Sequence, residues 1–378
     1  MLERIDLAQI IRQRGISCAA VALCSTDKIE TKLAGNLAKE SQQAINEETI
    51  FEAASLTKPF FAFLVMKLAE KGKINLDKPL LEQLEQLGKK QSFGPPYESI
   101  YDPPIFKENY QKVTPRQLLS HQAGLHNEFD PQKPETFEYK SALGTAFDYS
   151  GEGYRFLQEG IEKLIGQDAF EMFAEEVLKE LRMTRTSFYN QKQDENRAVG
   201  YKADGVSSLE HKEPNQIHAG ASLTTTIIDY AKFLRACLQD PNMKKIIDKP
   251  AVPSLKGKDK VKLQSKDTLD HLGWSTGFGI QTQEKKSLAF HWGDNKYFRN
   301  FMVLDLDSDQ ALVCFTNSYN GAAILQEIAE QALDKDLNPI FTWLREGYDF
   351  RENVSAIYRD NLKELKNETE DSSRIQPK

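Results

Sequence analysis

The sequence predicts an α/β chain of the α+β type. It should form an antiparallel sheet flanked by helices and built from both chain ends, with a mainly helical lobe inserted between them. Three observations carry this. Strand-like segments open the chain ("ISCAAVALCS", then "KIETKLAGNL") and return in its last third ("FGIQTQ", "SLAFHWG", "NFMVLDLD", "QALVCFTNS"). Helical periodicity dominates between them. Thr26-Asp27 and the stretch Asp305 to Gln310 join terminal strands as hairpin turns. The α/β lobe then takes residues 1–78 and 215–337, the helical lobe 79–214, and residues 338–378 a C-terminal helix and disordered tail.

In chain order, "MLERIDLAQIIRQRG" is a short amphipathic helix. It carries charges throughout and lacks the apolar core and cleavage site of a leader. The helix in "SLTKPFFAFLVMKLAEKG" ends at Gly72. Its apolar residues Phe61, Phe63, Leu64, Met66 and Leu68 wrap most of its circumference, which predicts burial between layers. Residues 91–112 are rich in proline and aromatics, and two Pro-Pro pairs forbid regular helix. That stretch is either a surface loop packed by its own rings or a flap that lines the cleft with Tyr97, Tyr101 and Phe106. "TPRQLLSHQAGL" reads as a helix ending at Gly124, with Pro in its first turn. Residues 152–182 continue helical, and "LTTTIIDYAKFLRACLQ" adds a helix with Thr224 to Thr226 as capping candidates. "AAILQEIAEQAL" closes the compact part. Beyond Leu337, Phe350, Val354, Ile357 and Leu365 share a helical face, and "KNETEDSSRIQPK" reads as disordered. That segment either packs on its own body or serves protein docking or self-association.

The chain has 378 residues, a net charge of −7 and no basic stripe, which argues against nucleic-acid binding. No run of about 18 apolar residues offers a membrane span. Four scattered cysteines read as reduced and buried, which fits a cytoplasmic setting. His121 and His126 lack zincin spacing, His121 reads as structural, and no metal or organic cofactor is implied. The Gly151 to Gly160 stretch, "GEGYRFLQEG", lacks the spacing of a phosphate loop.

The chemistry-bearing stretch is "FEAASLTKPF", Phe51 to Phe60. Ser55 and Lys58 stand at i and i+3, on one helix face. At the helix start the serine hydroxyl sits beside the positive end of the dipole. Serine needs a base to become a nucleophile. Lysine serves when burial or a nearby cation lowers its pKa from about 10.4 toward neutrality. Pro59 costs little there, because the first helical N–H groups lack intrahelical partners.

With its setting, this stretch resembles the first motif of the serine β-lactamase and penicillin-binding-protein superfamily. The resemblance is to class C β-lactamases and their esterase and D-aminopeptidase relatives. It runs from about Gly15 to Asn317 and includes "GKINLDKPL", "VTPRQLLSHQAGL", "LRMTRTSF" and "HAGASLTTTIIDYAKFL" in order. The resemblance implies that Ser55 is the acylated nucleophile and Lys58 its proton partner. Tyr149 in "FDYSGEGY" matches the motif tyrosine, a tyrosinate if Lys58 depresses its pKa. Gly151 replaces the motif asparagine, which weakens the case for amide substrates. His291-Trp292-Gly293 stands at the third motif, where β-lactamases carry Lys-Thr-Gly, and favours esterase or aminopeptidase chemistry. Trp292 either stacks on substrate or packs in the core. Gly293 would admit substrate backbone. The N–H groups of Ser55 and Asp294 would form the oxyanion hole. If His291 must be neutral, activity should rise near its ordinary pKa of about 6.5.

The expected function is a serine hydrolase acting on small esters or peptide-like amides, D-residues included, through an acyl-enzyme. The alternatives are a catalytically weak relative working as a binding or assembly module, and a β-lactamase or DD-carboxypeptidase.

Overall fold

A computed structural model describes residues 2–89, 111–128, 140–188, 194–208, 217–259, 263, 268–283 and 286–350. The aromatic-rich stretch with Tyr97, Tyr101 and Phe106 lies outside the described residues, as do Val354, Ile357, Leu365 and the rest of 351–378.

The architecture is an antiparallel seven-stranded sheet flanked by helices. In chain order the strands are β1 (Cys18–Ser25), β2 (Ile29–Gly35), β5 (Leu272–Trp274), β6 (Gly279–Gln283), β7 (Lys286–Asp294), β8 (Arg299–Asp305) and β9 (Gln310–Thr316). Their spatial order is β2-β1-β9-β8-β7-β6-β5. The ends of the chain therefore meet at the β1–β9 pair, where Val21 faces Cys314. Strand β5 has no counterpart in the sequence-based expectation. It is three residues long, too short to show alternation.

Alternation along the strands covers the sheet on both faces. Cys18, Ala20, Ala22 and Cys24 enter one core, and Ala19, Val21 and Leu23 the other. On the first face lie the helices α2 (Thr57–Glu70) and α6 (Ile227–Gln239). The second face is covered by α1 (Leu7–Gln13), α8 (Ala322–Leu333) and α9 (Asn338–Gly347). All four cysteines are free and buried. Within α2, Thr57 to Met66 and Leu68 are buried on every side, as its apolar circumference requires. Gly72 follows with φ +69, the left-handed conformation that stops a helix cheaply.

Among the described residues the other helices are α3 (Leu80–Gln86), α4 (Pro115–Leu119), α5 (Gly151–Ile165) and α7 (Pro241–Asp248). An irregular helical run from Ala169 to Leu181 includes a π turn. Two expected boundaries move. Helix α4 starts on a Thr114–Gln117 capping box but ends at Leu119, because His121 turns into the left-handed region at φ +57. Thr224–Thr226 is strand β4, paired with β3 (Ile50–Glu52), and only Thr226 caps α6, accepting from the Asp229 N–H. The last helix among the described residues is α9, and Phe350 lies past its end. No helix among the described residues is long and apolar enough to cross a membrane.

Candidate active site

Strand β3 ends at Glu52, and the chain tightens into a 3₁₀ turn, Ala54–Leu56, before α2 begins. Ala54 sits at φ +49, a strained conformation for a residue with a Cβ, immediately before Ser55. The turn is held from several sides. Ala53 N–H donates to the Leu223 carbonyl at 2.9 Å, Asn300 Nδ2 to the Glu52 carbonyl at 2.9 Å, and the Tyr230 hydroxyl to the Leu56 carbonyl at 2.9 Å.

One turn on, Lys58 is 2% exposed. Its Nζ donates to Ser55 Oγ at 3.1 Å and to the Gly220 carbonyl at 2.9 Å, and lies 4.8 Å from the centroid of the Tyr149 ring. Burial lowers its pKa to about 7, while the Glu128 carboxylate pulls the other way. The amine is thus substantially neutral near pH 7, where a lysine in water is almost wholly charged.

Tyr149 is also buried, and burial pushes its phenol above the ordinary value. Ser55 is near enough to lower it somewhat, but their oxygens do not form a well-shaped hydrogen bond. The expectation of a Lys58-induced tyrosinate is therefore corrected: the group is a neutral phenol, because desolvation outweighs its neighbours.

The third segment lies on β7. Strand β6 pairs with β7 only as far as Phe290, whereas β8 pairs along it to Asp294. Residues 291–294 thus overhang toward the Ser55 turn. At Gly293 an added Cβ would come 2.3 Å from the Ala53 carbonyl oxygen. The small residue there serves the packing of strand against turn.

His291 does not reach the cleft. It is fully buried, its Nδ1 lies 2.7 Å from the Trp292 carbonyl, and burial with Lys58 nearby lowers its pKa to about 3. The expected titration near 6.5 is corrected accordingly: His291 stays neutral across the ordinary pH range. Of its two expected alternatives, Trp292 takes the packing role. It stacks on Tyr149 and packs among Trp274, Trp343 and Tyr348, yet one edge faces the cleft. Asp294 faces the cleft too, and its carboxylate receives Arg299 Nε at 2.9 Å.

Ser55, Lys58, Tyr149, Gly151, Trp292 and Asp294 line a single open cleft of about 1030 Å³. Gly151 opens α5, and its N–H donates to Asn127 Oδ1 at 3.0 Å and to the Asn127 carbonyl at 3.2 Å. A Cβ there would lie 2.5 Å from that carbonyl, so an asparagine would force the Asn127 segment to shift.

Sequence reasoning missed several cleft residues: Asn127, Glu128, His218 and Tyr348. His218 Nδ1 accepts the Gly220 N–H at 2.8 Å, in the same turn whose carbonyl receives Lys58. Burial, with Lys58 nearby, lowers it to about 3, so it is neutral with its proton on Nε2. A lone histidine in "HAGASL" gave no spacing signal, and Tyr348 arrives from a tail with no motif at all.

The Beta-lactamase family model matches residues 6–336, and the chain belongs to that family. It is 23% identical over 295 residues to Protein flp of Staphylococcus aureus (strain MRSA252), covering 71% of this chain and 53% of that protein. The chain thus spans about half the length of that curated relative. Among solved structures it is similar to the octameric penicillin-binding protein homologue from Pyrococcus abyssi. That match has a TM-score of 0.68 at 19% identity, over 89% of this chain and 77% of that one. It is also similar to a class C beta-lactamase, with a TM-score of 0.64 at 17% identity, over 83% and 89% of the two chains. These structural likenesses concern the fold.

Proposed function

We propose that the protein is a serine hydrolase that acts on small esters or peptide-like amides through an ester on Ser55. The observation that carries this is the 3.1 Å contact from a buried lysine, lowered to about 7, to the Ser55 hydroxyl. A neutral amine at that distance can take the serine proton as Oγ attacks a carbonyl. The N–H groups of Ser55 and Asp294 would receive the developing oxyanion, which favours the transition state over the bound substrate. Tyr149, a phenol facing Ser55, would pass a proton to the leaving group. Water then attacks the ester and frees the acid.

The neutral His291 lacks the fixed positive charge that grips a carboxylate, which favours esters over β-lactams. Four buried free cysteines fit a reducing, cytoplasmic setting.

A second reading, a weakly catalytic relative used as a binding module, is favoured by the Trp292 ring stacked across Tyr149. A fluorophosphonate probe with p-nitrophenyl acetate separates the two. Labelling and hydrolysis that vanish in Ser55→Ala support the hydrolase. Labelling that persists in that variant would remove Ser55 as nucleophile, and an inert wild type would favour the module.

A further inference from the structure

Behind the Ser55–Lys58 pair, four buried polar atoms have no hydrogen-bond partner among the described residues: His121 Nε2, Tyr149 Oη, Trp274 Nε1 and His291 Nε2. Their rings are neighbours. The His121 centroid lies 4.5 Å from Tyr149 and 5.2 Å from Trp274, and the His291 centroid lies 5.6 Å from Trp274 and 6.0 Å from Tyr149. Buried polar atoms rarely go unsatisfied, and four in one cluster point to a common partner.

The polarity of each atom follows from what its ring does on the other side. His121 Nδ1 accepts the Ser150 N–H at 3.0 Å, so Nε2 carries the proton and donates. His291 Nδ1 faces the Trp292 carbonyl at 2.7 Å, and a carbonyl only accepts. Nδ1 therefore holds the proton and Nε2 is a bare acceptor. Both rings are held neutral by burial, with Lys58 adding to the effect. The indole N–H of Trp274 can only donate, and the Tyr149 hydroxyl can do either. The set is two donors, one acceptor and one group of either kind. A water molecule accepts two hydrogen bonds and donates two, which is the complement of that set.

We propose that His121, Trp274, His291 and Tyr149 together form a binding site for one buried water molecule. It accepts from His121 Nε2 and Trp274 Nε1 and donates to His291 Nε2 and to the phenol oxygen of Tyr149. With its oxygen already accepting from behind, the phenol turns its own O–H forward, toward Ser55. His121, Trp274 and His291 are then positioning residues that act on Tyr149 through the water. The orienting role rests on the hydrolase reading; the water site does not.

A crystal structure of the full chain, at a resolution that shows ordered water, tests the site. The expected result is one peak at about 2.7–3.2 Å from all four atoms. A direct bond from Tyr149 to His291 Nε2, other side-chain partners for these atoms, or no peak would overturn it. The orienting role is tested by ester hydrolysis in His291→Leu and His291→Gln, each checked for wild-type folding by circular dichroism. His291→Leu should lower kcat about tenfold with KM little changed, the scale of one lost neutral hydrogen bond. His291→Gln, which keeps an acceptor, should recover most of it. Equal kcat in the two variants would overturn the orienting role. A protein that holds the water but hydrolyses nothing would keep the site and lose the hydrolase.

Discussion

The indole of Trp292 lies against the phenol of Tyr149, with centroids 4.8 Å apart and planes 30° apart. The ring expected to move protons is therefore clamped by its neighbour on β7. Trp292 is 4% exposed, so Trp292→Ala should cost about 3–5 kcal/mol by urea unfolding. The same change widens the cleft. KM for esters with bulky acyl groups should fall relative to acetate esters, and an unchanged ratio would show that the indole is not a steric wall.

The pH dependence should come from Lys58. In the proposed mechanism its neutral form accepts the serine proton, so kcat/KM for p-nitrophenyl acetate should rise with pH through about 7 and level off above. Its other titratable neighbours do not produce that limb, since His291 and His218 are lowered to about 3 and Tyr149 is raised. Glu128 is the carboxylate that favours the charged amine. Glu128→Gln should move the midpoint to lower pH, and a shift upward would contradict this electrostatic assignment.

Stability should respond in the opposite sense to activity when Lys58 is replaced. The folded pKa of about 7 lies below the unfolded value of about 10.4, so the unfolded chain binds more protons between them. Wild-type stability should therefore climb from pH 7 toward pH 10. Lys58→Met, with no ammonium to bury, should melt higher than wild type at pH 6 and lose that advantage in alkali, while hydrolysing nothing. Thermal melts at the two pH values would read this directly.

Gly151→Asn should not repair the second motif. The new Cβ would press on the Asn127 carbonyl, which belongs to the backbone and cannot swing away. Overpacking of this kind costs about 1–3 kcal/mol. Lower stability with no gain on amide substrates is expected. A stable variant with new amidase activity would mean that the Asn127 segment yields.

Much of the sheet was legible because strand-like segments at both chain ends imply one sheet built from both, whereas the particular pairing of β1 with β9 is seen only in the structure. Lys58 and Ser55 were legible because one helical turn fixes their contact. What was not legible depends on surroundings that spacing does not encode. The pKa of His291 is set by complete burial, the need for a glycine at 293 by the Ala53 carbonyl, and the early end of α4 by the conformation of His121. His218 and Tyr348 enter the cleft from segments far apart in the chain, so neither had a partner in sequence to announce it.

Helix α9 begins two residues after the family-matched region stops, and Tyr348 just beyond it packs 5.0 Å from Trp292 and 5.7 Å from Tyr149. Part of the cleft's rim is thus supplied from outside the stretch that the family model matches. A version trimmed at Leu337 would keep Ser55 and Lys58 but surrender an aromatic flank. If the protein is the hydrolase proposed above, its choice of acyl group could accordingly be retuned from the C-terminal segment without touching Ser55 and Lys58.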